Sequence, residues 1–242
     1  METSDPPPPP LETITLVPSF VSEVDEEELL SAISDAKGWV ELSGRRLLNL
    51  GGLVTKSGLV PAPIPKWLQP LMTRASERVG GFRGQGESAS TAAAAPNHAL
   101  VNLYRPGEGI LPHEDGDAYV PRVAIVSLGS PAVLRFWRRK GRRRRGDGGG
   151  ADDDEGGVPV PGRDPPDASV LLEPRSLVVF EHEAYSGCYH GIEACVEETI
   201  DSSVINGDRA PAVVARSGDR VSLTIRRVAR VRSSLLQLSA KA

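Results

Sequence analysis

Cysteine is scarce: Cys188 and Cys195 are the two in 242 residues, so no disulfide framework is available to hold the fold. No apolar run is long enough for a membrane-spanning helix or a secretory signal. Together these absences predict a reduced intracellular setting and no membrane partner; cytoplasm and nucleus are the expected locations, the nucleus through the Arg-rich stretch at 138–145 read as an import signal. Neither sign of charge dominates, with 28 basic against 32 acidic side chains, so bulk composition does not argue for a nucleic-acid partner. Aromatic residues make up only 5%, which leaves Trp39, Tyr119, Phe136, Trp137 and Tyr185 as the rings available to stack on a flat ligand.

What is present suffices for one sizeable domain, expected as a monomer. Residues 1–15, with a run of prolines at 6–10, read as an extended tail that either docks a proline-recognising domain or stays disordered. Residues 16–237 form the domain. A helix is predicted from Ser22 or Asp25, with Asp25 and Glu28 at capping-box spacing and Leu29 and Ile33 on one face. A second runs from near Trp67 or Pro70 to Val79, with Leu71, Ala75 and Val79 as its buried stripe. Low-complexity inserts fall at 80–96, 138–167 and 197–218. Strand signals occupy 99–104, 122–128, 132–137, 169–172, 176–180 and 220–228. Many short strands between Gly and Pro turns predict a mainly β fold with flanking α-helices, built on a double-stranded β-helix (jelly roll, cupin-like) whose open mouth carries a metal.

The chemistry centres on residues 102–115, NLYRPGEGILPHED. In extended chain Asn102 and Tyr104 share a face, as do His113 and Asp115, because strand side chains repeat every two residues. An imidazole and a carboxylate so placed can hold one cation, although the same spacing also fits solvated neighbours in a loop. A third ligand would complete the two-histidine, one-carboxylate facial set that suits Fe(II) and leaves positions open. His190, in CYHGI, is the downstream candidate. His98 and His182 fall outside any motif and read as structural or surface residues. In RVSLTIR, Val221, Leu223 and Ile225 point one way while Arg220, Ser222, Thr224 and Arg226 point the other. The two arginines stand roughly 20 Å apart at about 3.3 Å per residue. By leaning inward their planar forks can bracket a short dicarboxylate.

Asn102-x-Tyr104, His113-x-Asp115, His190-Gly191-Ile192 and Arg220-x5-Arg226, in this order, resemble the signature of AlkB-type Fe(II)/2-oxoglutarate dioxygenases. The wider stretch 97–130, then VLRFW and RVSLTIRRV, resembles a eukaryotic branch of that family. The resemblance implies a jelly roll spanning 16–237, with Fe(II) held by His113, Asp115 and His190, and with 2-oxoglutarate and O2 as cosubstrates. It implies that Arg220 takes the distal carboxylate of 2-oxoglutarate with support from Tyr104. Asn102 and Arg226 then serve the end nearer the metal, with Thr224 on the same face. Ser222 stands where bacterial relatives carry asparagine. The implied reaction is oxidative demethylation of alkylated nucleobases in RNA or DNA.

The metal centre does not record what lies beyond it, so a protein-directed oxygenase and a nucleic-acid-binding adaptor with little turnover remain as alternatives. Arg45, Arg46 and Trp39, in a hairpin-like stretch that the resemblance makes a nucleotide-facing lid, are candidates for contact with a phosphate or base. The insert 138–167 opens with RRKGRRRR and turns to ADDDE. It reads as an import signal, a phosphate grip or a self-neutralising solvated extension.

Overall fold

The computed structural model describes residues 12–84, 94–139 and 157–232. The chain opens with β1 (Ile14–Val17), α1 (Glu23–Ser34), β2 (Val40–Leu42), β3 (Arg45–Leu50), β4 (Gly52–Thr55), β5 (Gly58–Pro61) and α2 (Gln69–Arg78). Next come β6 (His98–Tyr104), β7 (Ile110–His113), β8 (Arg122–Gly129), β9 (Ala132–Arg138), β10 (Ala168–Leu172) and β11 (Leu177–Glu181). It closes with α3 (His182–Ser186), β12 (Cys188–Ile192), β13 (Glu197–Thr199), β14 (Val213–Ala215) and β15 (Arg220–Arg226).

A seven-stranded sheet runs β1-β11-β8-β15-β6-β3-β2, and a four-stranded sheet runs β10-β9-β12-β7. Strands β6 to β12 and β15 are dealt between the two sheets, antiparallel to their neighbours throughout, which is the jelly-roll arrangement.

Alternation along the large sheet sorts its side chains into two layers. Val221, Leu223 and Ile225 of β15, Ala124, Val126 and Leu128 of β8, and Leu177 and Val179 of β11 pack outward against α1 and α2. The helices answer with Leu29 and Ile33, and with Leu71, Met72 and Ala75. The intervening residues Val123, Ile125, Val178 and Phe180 turn inward and meet Leu134, Phe136, Val170 and Leu172 of the small sheet. Phe136 meets Phe180 edge-on, 5.4 Å between ring centres. Such a pair adds about 1 kcal/mol to its burial.

Several details differ from the sequence reading. The predicted tail ends earlier than residue 15, because Ile14 already pairs with Phe180 in β1; residues 1–11 lie outside the described chain. The capping box of α1 is formed by Ser22 and Asp25, not Asp25 and Glu28: Asp25 N–H donates to Ser22 Oγ and Ser22 N–H to the Asp25 carboxylate. Of the insert at 80–96, residues 85–93 lie outside the described chain, but both ends are packed, with Phe82 and Ala94 buried and joined by a backbone hydrogen bond.

The polar insert at 197–218 contains the β13–β14 hairpin and covers the back of the small sheet, where Val204 packs on Val133 and Leu171. Beneath it Glu198 is fully buried. Its carboxylate pairs with Arg135 and Arg216, and accepts from Val133 N–H at 2.9 Å. Arg216 also donates to the carbonyls of Glu108 and Glu193, each at 2.7 Å, which ties the β6–β7 loop to the chain after β12.

Candidate metal and cosubstrate site

The two sheets part at one end into a cleft of about 1100 Å³. On its small-sheet wall His113 of β7 and His190 of β12 are register partners, with ring centres 4.4 Å apart. The pairing shifts by one residue between His190 and Ile192, which stand opposite His113 and Ile110. Leu111 and Pro112 thus bulge opposite the single residue Gly191. β7 is an edge strand, so Pro112 forfeits no ladder bond that a central strand would need. Gly191 is required by the same geometry, since a Cβ there would lie 2.9 Å from the Ile110 carbonyl oxygen and 3.0 Å from Pro112 N.

Just past β7, Asp115 swings in beside the two imidazoles. The ligand atoms of His113, Asp115 and His190 all lie within 4.8 Å of one another, and they form the one such group among the described residues. Arg226 of β15 donates to Asp115 Oδ1, leaving Oδ2 buried and without a partner. Arg226 itself lies over the Tyr119 ring, 4.0 Å from its centre. His113 Nδ1 donates to the Leu111 carbonyl at 2.9 Å, which frees Nε2 to bind a cation. Burial lowers the pKa of His113 and pushes that of His190 down to about 3, so both rings are neutral near pH 7, the form a metal requires. Phe180 packs 4.9 Å from the His190 ring and holds its plane.

The unpartnered buried atoms are the test of fit. His190 Nδ1 and Asp115 Oδ2 have no hydrogen-bond partner, and two imidazoles plus one carboxylate are the donor set of a facial iron site. Deeper on the large-sheet wall, Arg220 is 2% exposed; its Nη2 donates to Ser127 Oγ at 3.0 Å, while Nε and Nη1 have no partner. Burial lowers its pKa to about 10, still charged at neutral pH. A buried guanidinium with two free donors calls for a carboxylate. Tyr104, opposite Arg220 in register, lies with its ring 5.6 Å from the guanidinium. Burial raises its pKa, so the phenol keeps its proton and can donate.

The structure brings Asn102, Tyr104, Arg220, Thr224 and Arg226 onto one wall of the cleft that also holds His113, Asp115 and His190. Ser222 lines the same wall opposite Asn102. Asn102 Oδ1 accepts from Arg45 Nε at 3.1 Å, so Arg45 enters the cleft from the β2–β3 hairpin. Arg46 and Trp39 do not enter it: Arg46 pairs with Glu41 and sits over Trp39, and Trp39 packs against the helix-side core. His98 is buried, bonded to Asn49, and His182 is exposed at the start of α3. Glu114 faces away and pairs with Arg139 at 2.7 Å. Residues 140–156 of the charged insert lie outside the described chain, but its end returns to the cleft, where Val160, Pro161 and Gly162 form part of the lining. Ser127, Leu111 and Val160 carried no signal in the sequence.

Residues 54–226 match the model of the 2OG-Fe(II) oxygenase superfamily. The chain is 34% identical over 234 residues, 95% of its length and 91% of the relative's, to "Probable RNA/DNA demethylase ALKBH6" of Danio rerio. Among solved structures, OsALKBH1 superposes with a TM-score of 0.50 at 16% identity, over 89% of this chain and 98% of its own. A 2OG-Fe(II) family oxidoreductase from Burkholderia pseudomallei gives 0.51 at 11%, over 91% and 89%. These two likenesses speak for the fold. A jelly roll whose cleft gathers two histidines, a carboxylate and an underpaired arginine is thus matched by sequence along most of its length, and the chain belongs to the AlkB family of Fe(II)- and 2-oxoglutarate-dependent oxygenases.

Proposed function

We propose that this enzyme oxidatively demethylates alkylated nucleobases in RNA or DNA, with His113, Asp115 and His190 holding the iron and Arg220 the distal carboxylate of 2-oxoglutarate. The observation that carries the reading is a single cleft that joins the triad to the unpaired donors of Arg220. The substrate class rests on the likeness to a relative named as a probable RNA/DNA demethylase.

When bound, iron with O2 and 2-oxoglutarate supplies the oxidising power: the cosubstrate becomes succinate and carbon dioxide, and one oxygen atom enters the N-methyl C–H bond. The N-hydroxymethyl product then loses formaldehyde, leaving N–H. The side chains supply position and charge. Arg220 and Tyr104 anchor the dicarboxylate at the closed end. Arg226 orients Asp115 through one oxygen, so that the other is presented to the metal. The apolar walls, Ile125, Leu134 and Leu172 among them, keep bulk water from the reacting groups.

Formaldehyde and succinate release across a panel of methylated RNA and DNA oligonucleotides is the test. Stoichiometric release of both with one class of modified strand is expected. Stimulation by methylated protein alone, or oligonucleotide binding without succinate, would instead favour the protein-directed oxygenase or the adaptor.

A further inference from the structure

Apart from the His113 and His190 imidazoles, the cleft is nearly devoid of aromatic rings. Of three Trp, four Tyr and four Phe in the sequence, all lie within the described residues, and none occurs in the segments outside them. Only Tyr104 lines the cleft, and it is 4% exposed, committed to Arg220 at the closed end. Enzymes that act on an extruded base stack it between aromatic or apolar side chains.

Two exposed aliphatic side chains stand in the cleft instead. Leu111 is 75% exposed, and Val160 is 52% exposed. Both line the cleft that holds the triad. Neither is a loose surface residue. Leu111 sits in the β-bulge, its carbonyl fixed by His113 Nδ1, and a bulge beside an active site re-aims a side chain. Val160 opens a turn closed by hydrogen bonds from Arg163 and Asp164 N–H to its carbonyl, and from its own N–H to the Asp164 carboxylate. That turn is pinned from below by Trp137 Nε1, which donates to the Asp164 carbonyl at 2.9 Å. A rigid turn and a rigid bulge that hold large aliphatic groups in water, at the rim of a reactive cleft, lose apolar exposure only when a ligand arrives.

Resting on the nucleobase reading above, we propose that Leu111 and Val160 are specificity-determining residues that receive the flat faces of the methylated base, giving an aliphatic grip in place of an aromatic one. Burial of apolar area is blind to ring identity, so this grip selects for the methylated, planar and poorly hydrated character of the base more than for its hydrogen-bonding edge.

The test uses full-length protein loaded with Mn(II) and 2-oxoglutarate, which does not turn over, and fluorescence anisotropy of single-stranded oligonucleotides carrying one N-methylated base. Both side chains are exposed, so Leu111→Ser and Val160→Ser should fold; unchanged melting temperature and Mn(II) affinity verify this. Each serine variant should weaken binding about tenfold, the conservative Leu111→Met should restore it, and Leu111→Phe, which adds a stacking ring, should tighten it. Wild-type affinity in both serine variants would overturn the aliphatic grip while leaving the demethylase reading intact. Wild-type protein that ignores every oligonucleotide yet binds a methylated peptide would overturn both.

Discussion

His113 and His190 face each other across a pair of antiparallel strands, ring centres 4.4 Å apart, although a bulge interrupts the register immediately beyond them. The bulge lets both His113 and Ile110 point inward despite an odd separation along β7, and Gly191 makes room for it. Gly191→Ala places a Cβ against the backbone of Ile110 and Pro112, which can yield only by moving β7 and the His113 ligand with it. Metal affinity should fall at least tenfold, with a smaller change in melting temperature; Mn(II) titration beside thermal denaturation separates the two. An alanine variant with native affinity would show that the bulge does not set the ligand.

Arg220 offers two unpaired donors in a buried setting. Arg220→Met removes a charge-assisted hydrogen bond worth about 2 kcal/mol, or roughly 30-fold in affinity. The effect should appear in the KM for 2-oxoglutarate. Lysine keeps the charge but not the fork, and should recover only part of the loss.

Stability depends on Glu198, whose carboxylate is fully buried between Arg135 and Arg216. Glu198→Ala leaves both guanidinium groups short of a partner, and breaking such a cluster from one side costs about 3–5 kcal/mol. Chemical denaturation of the two proteins measures it. Because Arg216 also ties the carbonyls of Glu108 and Glu193, the loss should loosen the cleft rim as well.

A pH dependence follows from His98, which burial chiefly, and Arg226 secondarily, hold at a pKa of about 4 against a usual 6.5. The folded value lies below the unfolded one, so between the two the unfolded chain takes up a proton that the folded chain does not. This contribution is complete above about pH 6.5 and is lost as pH falls toward 4, amounting to about 3 kcal/mol at most. His98→Gln should flatten that part of the stability profile measured between pH 7 and 4.5. An unaltered slope would remove His98 from the account.

The parts of the site legible in the sequence are those set by residue type at short spacing. His113-x-Asp115 and the alternation of RVSLTIR each lie within one strand or turn, and β15 bears out the sorting of Arg220, Ser222, Thr224 and Arg226 to the face opposite Val221, Leu223 and Ile225. The bulge at Leu111 was not legible, because it exists only through pairing with Gly191 on another strand. The hairpin β13–β14 was missed for a related reason: its strands are three residues each, and the burial of Glu198 is set by arginines on β9 and beyond β14. Ser127 resembles any strand serine until β15 lies beside it and Arg220 reaches across.

The central claim is that His113, Asp115 and His190 form one metal site opening on Arg220, and anaerobic Mn(II) titration of the wild type beside His113→Ala, Asp115→Ala and His190→Ala tests it most directly. One ion should bind per wild-type chain and should strengthen 2-oxoglutarate binding. Each alanine variant should lose more than about 100-fold in metal affinity, and turnover of 2-oxoglutarate to succinate with it. Three variants that still bind one ion as tightly as the wild type would contradict it.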